Sequence, residues 1–208
     1  MNKIIIAALV LLASTNSQAQ FPAPGNPTAP SPTLDPSANT NMLNPQQTIQ
    51  QGVERLQSFI SGRVAADPAL VQSFIQTEIA PYFDFATMTR LILGPLEYQL
   101  TPKQQYAARI MIRNQFLAAL ANNLMSYRGG RVDYLNVSGN LGMGQVKVRL
   151  RIYQPGKYPL ALELRIARNY DGWKIYDVAA NGVSAVAHYR NYVQSVIMRS
   201  GPQGLLQP

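Results

Sequence analysis

Ser184 and His188 are the residues best placed for covalent chemistry. Gly182-Val183-Ser184 reads as half of the G-x-S-x-G elbow that presents a nucleophilic serine between a strand and a helix, and His188 follows one helical turn later. Val186 stands where the second glycine belongs, and the tight packing of that elbow needs a glycine there. A serine at the mouth of a helix ordinarily serves as its N-cap, so capping is the expected role of Ser184, and His188 is expected to be a surface or hydrogen-bonded histidine. The carboxylates are dispersed. Asp171 falls in a turn, and Asp177 alternates with Trp173 and Ile175, which puts the three on one strand face. A partly buried Asp177 needs hydrogen-bond partners, and fixing the next turn or capping the last helix would supply them. No second carboxylate neighbours it to complete an acid/base pair. The chain has no cysteine and one histidine, which excludes disulfides, thiolate chemistry, Cys-type zinc and any multi-histidine metal site. No phosphate-binding or EF-hand loop is present. We expect no catalytic residue, no metal and no resident cofactor.

The positive charge is the second chemical feature. Lys and Arg number 18 against 10 Asp and Glu, a formal +8 in 208 residues. Lys147, Arg149 and Arg151 alternate along one segment, and Arg165 and Arg168 lie in the next. Such a face could meet phosphates. However, an antiparallel sheet normally turns charge to its wet side, and the chain carries an export signal that takes it away from nucleic acid. Anionic membrane, lipid headgroups or acidic docking partners fit better.

That signal occupies residues 1–19. Lys3 precedes an unbroken apolar run of ten, Ile4 to Ala13, and Ser17-Gln18-Ala19 forms a small-residue cleavage site. The run is too short to span a bilayer. Cleavage after Ala19 removes Lys3 and lowers the formal charge from +8 to +7. The expected product is soluble and periplasmic. Residues 20–48 carry seven of the fifteen prolines and read as a disordered linker.

The remaining elements must position the side chains above. Ile49, Val53, Leu56 and Ile60 recur at helical spacing up to Gly62. Asp67-Pro68 opens a second helix that Pro81 limits, and a short helix runs from Phe85 to Leu93 before Gly94-Pro95. Thr101-Pro102-Lys103-Gln104 is a capping box opening the longest helix, to about Tyr127, with Ile112, Phe116, Leu120 and Leu124 in one row. After Gly129-Gly130 the period becomes two. A strand over Arg131–Val137 is followed by Val146, Val148, Leu150 and Ile152 in alternation, then by Leu160, Leu162, Leu164 and Ile166, then by Trp173–Val178. Asn181-Gly182 breaks the sheet, and Ser184–Ser200 is a final helix with Gly201 beyond it. The expected class is α+β, with helices packed on one face of a four-stranded antiparallel meander and a C-terminal helix. The apolar alternations either fill a core or line a cavity.

Several segments together resemble the MlaC, or toluene-tolerance auxiliary, family of periplasmic phospholipid-binding proteins. They are Phe83-Asp84-Phe85-Ala86-Thr87-Met88-Thr89-Arg90-Leu91-Ile92-Leu93-Gly94; Thr101-Pro102-Lys103-Gln104; Gly172-Trp173-Lys174-Ile175-Tyr176-Asp177-Val178; Asn181-Gly182-Val183-Ser184 with Tyr189-Arg190; and the closing Gly201-Pro202-Gln203-Gly204-Leu205-Leu206. The resemblance covers roughly 48–207, and we place the lipid-binding domain at 49–207; the Pro-rich segment lies outside the family pattern. It implies an apolar cavity between sheet and helices that shelters acyl chains. Two chains of roughly sixteen carbons represent about 25 kcal/mol of burial that a carrier must match. Leu91, Ile112, Phe116, Leu120 and Leu124 would then line the cavity from the helices. Val146, Val148, Leu150 and Ile152, the row Leu160, Leu162, Leu164 and Ile166, and Trp173 and Ile175 would line it from the sheet. Lys147, Arg149, Arg151 and Arg165 would contact the headgroup or a partner. The implied function is a monomeric, non-enzymatic carrier. It would move phospholipid between an inner-membrane Mla-type ABC transporter and an outer-membrane lipoprotein–porin complex, maintaining outer-membrane lipid asymmetry. A carrier for another apolar lipid such as a hopanoid, a secreted serine esterase using Ser184 and His188, and a docking module are the alternatives.

Overall fold

The computed structural model describes residues 44–61, 67–125 and 130–206. The signal segment, the Pro-rich residues up to 43, Gly62, Tyr127 and Gly129 lie outside the described residues. Helix α1 spans Pro45–Ser61. It starts inside the segment expected to be linker, because Asn44 and Gln47 cap it reciprocally. The Gln47 N–H donates to Asn44 Oδ1 at 2.8 Å, and the Asn44 N–H donates to Gln47 Oε1 at 3.0 Å. Pro45 occupies the first helical position, where its missing N–H costs nothing.

Helix α2, Pro68–Phe74, is capped by Asp67. It continues as a π-helical turn, Ile75–Ile79, and a 3-10 turn, Ala80–Tyr82. Helix α3, Phe85–Leu93, has Asp84 as its cap and Gly94, with φ of 53°, at its end. Helix α4 spans Pro102–Met125. The Thr101–Gln104 box closes its start: Thr101 N–H donates to Gln104 Oε1 at 2.9 Å, and Gln104 N–H to Thr101 Oγ1 at 3.3 Å.

Five strands follow in chain order, each antiparallel to the next: β1 Arg131–Asn140, β2 Gln145–Tyr153, β3 Leu160–Asn169, β4 Gly172–Ala180 and β5 Val183–Ser184. Four were expected. The fifth forms because Asn181 and Gly182, with φ of 47° and 85°, make a two-residue hairpin turn rather than a break. Helix α5, Ala185–Ser200, completes the fold.

Strand β4 carries a bulge that changes which residues share a face. Ile175 stands opposite Ile166, but Asp177 stands opposite Arg165, so Tyr176 is an extra residue. Asp177 therefore leaves the face of Trp173 and Ile175, contrary to simple alternation. Val178 and Ala180, opposite Leu164 and Leu162, take its place on the side of the helices.

Buried apolar residues fall into two clusters. One is built from α2, α3, α4 and α5. The other is built from the inner sheet face with Ile49 of α1. Phe83 and Val178 pack against both. Phe83 is anchored beside β4 by a bridge to Ile175 and by the Asp84 N–H, which donates to the Ile175 carbonyl at 2.8 Å.

Candidate functional site

Between the two clusters lies a cavity of about 340 Å³, within the size range of ligand pockets. The sheet supplies Leu150 and Ile152 of β2, Leu160, Leu162 and Leu164 of β3, and Ile175, Val178 and Ala180 of β4. The period of two puts each row on one face. Phe116, Leu120 and Leu124 of α4 recur every four residues and form the opposite wall. Helix α1 makes a third wall with Ile49, Val53, Leu56 and Ile60. Its Gly52 faces the Tyr82 ring, where a Cβ would make ordinary contact at 3.6 Å. Its Arg55 pairs with Glu78 of the π-helical turn. Phe83 and Phe116, ring centroids 5.0 Å apart, close the inner end with Phe85.

The residues expected to line a cavity thus divide. Phe116, Leu120, Leu124, Leu150, Ile152, Leu160, Leu162, Leu164 and Ile175 are brought together around it. Ile112 is wholly buried in the helical cluster instead. Val146, Val148, Ile166 and Trp173 pack within the sheet cluster, toward the start of β2, the end of β3 and the start of β4. Leu91 is 38% exposed on α3. None of these six lines the cavity. Lys147, Arg149, Arg151 and Arg165 lie on the other face of the sheet, one residue out of phase with the lining rows. There Glu163 gathers Arg149 at 3.1 Å and Lys147 and Arg165 at 3.5 Å. Burial pushes its carboxyl up, but the Arg149 hydrogen bond and the Lys147 charge outweigh burial and hold it below its ordinary value. This basic face is separate from the chamber.

Sequence reasoning missed the α1 wall as part of the site, although its apolar spacing was legible. It also missed Val178 and Ala180, which the bulge brings inward, and the polar lining residues Gln57, Asn123, Gln154 and Lys157.

Ser184 and His188 both line the cavity, but the serine is committed to structure. Its hydroxyl donates to Asp177 Oδ2 at 2.7 Å and accepts the Ala187 N–H at 3.2 Å, as an N-cap should. Asp177 also accepts the Val186 N–H at 3.0 Å and pairs with Arg165 at 3.2 Å. It therefore fixes the start of α5, as its burial requires. Burial lowers the His188 pKa, which favours neutral imidazole at the wall. Burial, and then Tyr192, pushes the Tyr189 hydroxyl up to about 12. What the arrangement offers chemically is apolar area with a few polar groups and one lysine, Lys157.

Fold and site together define an α+β protein with an apolar ligand chamber between its sheet and its helices. Residues 46–208 match the family described as MlaC protein, and the chain belongs to that family. It is also similar to a solved structure, the phospholipid-binding protein from Ralstonia solanacearum in complex with a phospholipid. The TM-score is 0.72 at 27% sequence identity, over 79% of this chain and 94% of that one.

Proposed function

We propose that this chain is an exported carrier of phospholipid, cleaved after Ala19 and acting as a monomer in the periplasm. The chamber carries the reading: its walls are apolar side chains from the sheet, α1 and α4, and its ionisable groups are few. Burial of acyl chains at about 0.8 kcal/mol per methylene supplies the affinity without a reactive group. The cargo needs no cofactor beside it, and no reaction is assigned to the site. The phospholipid bound by the Ralstonia solanacearum relative supports the ligand class. Membership of the MlaC family supports the route, from an inner-membrane Mla-type ABC transporter to an outer-membrane lipoprotein–porin complex, with outer-membrane lipid asymmetry as the outcome.

The test is lipid mass spectrometry on protein purified from the periplasm. Stoichiometric phospholipid is expected, and a hopanoid in its place would redirect the reading to another apolar lipid. Leu164→Arg puts a charge into the wall and should lose most bound lipid while the protein stays folded. A lipid-free wild-type protein that takes nothing from vesicles would sink the proposal.

A further inference from the structure

We propose that Lys157 holds the phosphate of the bound lipid at the mouth of the chamber, and that the mouth thereby favours phospholipids of net negative charge over zwitterionic ones. This rests on the carrier reading above. Apart from the tyrosines Tyr82 and Tyr189, the polar lining residues are gathered at one end. Register places the start of β1, the end of β2 and the start of β3 side by side, since Val132 pairs with Ile152 and Ile152 with Leu160. The end of β4 lies there too, because Ala180 pairs with Leu162. Gln154 and Lys157 sit in the turn that joins β2 to β3 at this end. Asn123 lies near the end of α4, one turn beyond Leu120, and Gln57 follows Val53 toward the end of α1. The opposite end is closed by Phe83, Phe116 and Ile175. The chamber is therefore amphipathic along its length, which matches a ligand with an apolar body and a polar head.

Among the described residues that line this chamber, Lys157 is the one charged side chain besides the titratable His188, and no carboxylate lines it. No ion pair engages Lys157 among the described residues. Its turn is set by its own backbone, with the Lys157 N–H donating to the Gln154 carbonyl at 3.1 Å and Gly156 at φ of 70°. The side chain is thus free to lay its methylenes on the apolar rim and hold its ammonium at the water boundary, where a lipid phosphate also sits. The neighbouring start of α5 is a poor rival for the anion, because Asp177 and Ser184 already take the Val186 and Ala187 N–H groups. A phosphodiester finds a cation at the mouth, whereas the ammonium of a zwitterionic headgroup finds no carboxylate and meets Lys157 as a like charge.

The mature protein is incubated with vesicles of equal phosphatidylglycerol and phosphatidylethanolamine, recovered, and its lipid extracted. Wild type should be enriched about threefold in phosphatidylglycerol, the order of effect of one solvent-exposed ion pair. Lys157→Gln should bring the ratio close to one, and Lys157→Arg should keep the enrichment. Arg199→Gln, on the exposed last turn of α5, should also keep it and controls for net charge. An unenriched wild type, or enrichment surviving in Lys157→Gln, overturns the assignment while leaving the carrier reading intact. Wild type that extracts neither lipid overturns both. Inorganic phosphate is titrated into lipid-free protein while the Lys157 Nζ resonance is followed. A saturating shift without any headgroup enrichment would assign the cation to free phosphate and overturn its role in lipid choice.

Discussion

Asp177 is 1% exposed and makes contacts on three sides, to Ser184 Oγ, the Val186 N–H and Arg165. A carboxylate buried this deeply is tolerated only because both of its oxygens have partners. Removing it leaves the Val186 N–H without its acceptor and takes a partner from the Ser184 hydroxyl and from Arg165. Asp177→Ala should therefore lower the unfolding free energy by about 3 kcal/mol. Ser184→Ala, which removes the outer half of the same cap, should lower it by about 1 kcal/mol. Urea unfolding midpoints measure both. Lipid content of folded Ser184→Ala protein should match wild type, and a specific loss of function at unchanged stability would contradict a purely structural role. The capping role of Ser184 was legible from a serine followed by helical spacing. The partnership of Asp177 with Arg165 was not, because it depends on the bulge at Tyr176, and nothing in the local spacing marks that extra residue.

Helix α1 is the element whose position decides whether the chamber exists. It contributes four aliphatic side chains to the wall, and its Gly52 faces the Tyr82 ring. A methyl group at Gly52 would reach ordinary contact at 3.6 Å, whereas anything larger must displace the ring or the helix. Gly52→Ala should thus bind lipid as wild type does. Gly52→Phe should push α1 off Tyr82, cut lipid uptake from vesicles several-fold, and raise protease sensitivity near Ser61. Unchanged uptake by Gly52→Phe would remove α1 from the wall. Element boundaries were largely legible, since Asp67, Asp84, Thr101 and Ser184 are caps and the β2 and β3 rows alternate cleanly. The division of those rows was not. Val148 and Leu150 are neighbours on one face of β2 and both belong to the sheet cluster, yet of the two Leu150 alone lines the cavity. The difference is position along the strand, and periodicity carries no such coordinate.

At the scale of the whole molecule, two apolar clusters face each other across the chamber and share Phe83 and Val178. A ligand that touches both adds the burial that a single continuous core would have had. Stability should therefore be linked to cargo: a ligand that binds only the folded state stabilises it by about 2.7 kcal/mol at one hundred times its dissociation constant. For a domain of this size that corresponds to a rise of about 5–10 °C in Tm. Calorimetry on delipidated protein, before and after reloading from phospholipid vesicles, should register that rise. Leu120→Trp sharpens the test, because Leu120 lines the cavity and a larger ring would fill part of it. The variant should raise the Tm of the delipidated protein, through added apolar contact, and shrink the increment on reloading. Equal increments in the two proteins would mean that the cargo binds elsewhere, and the apolar walls would then be a loosely packed core rather than a binding chamber.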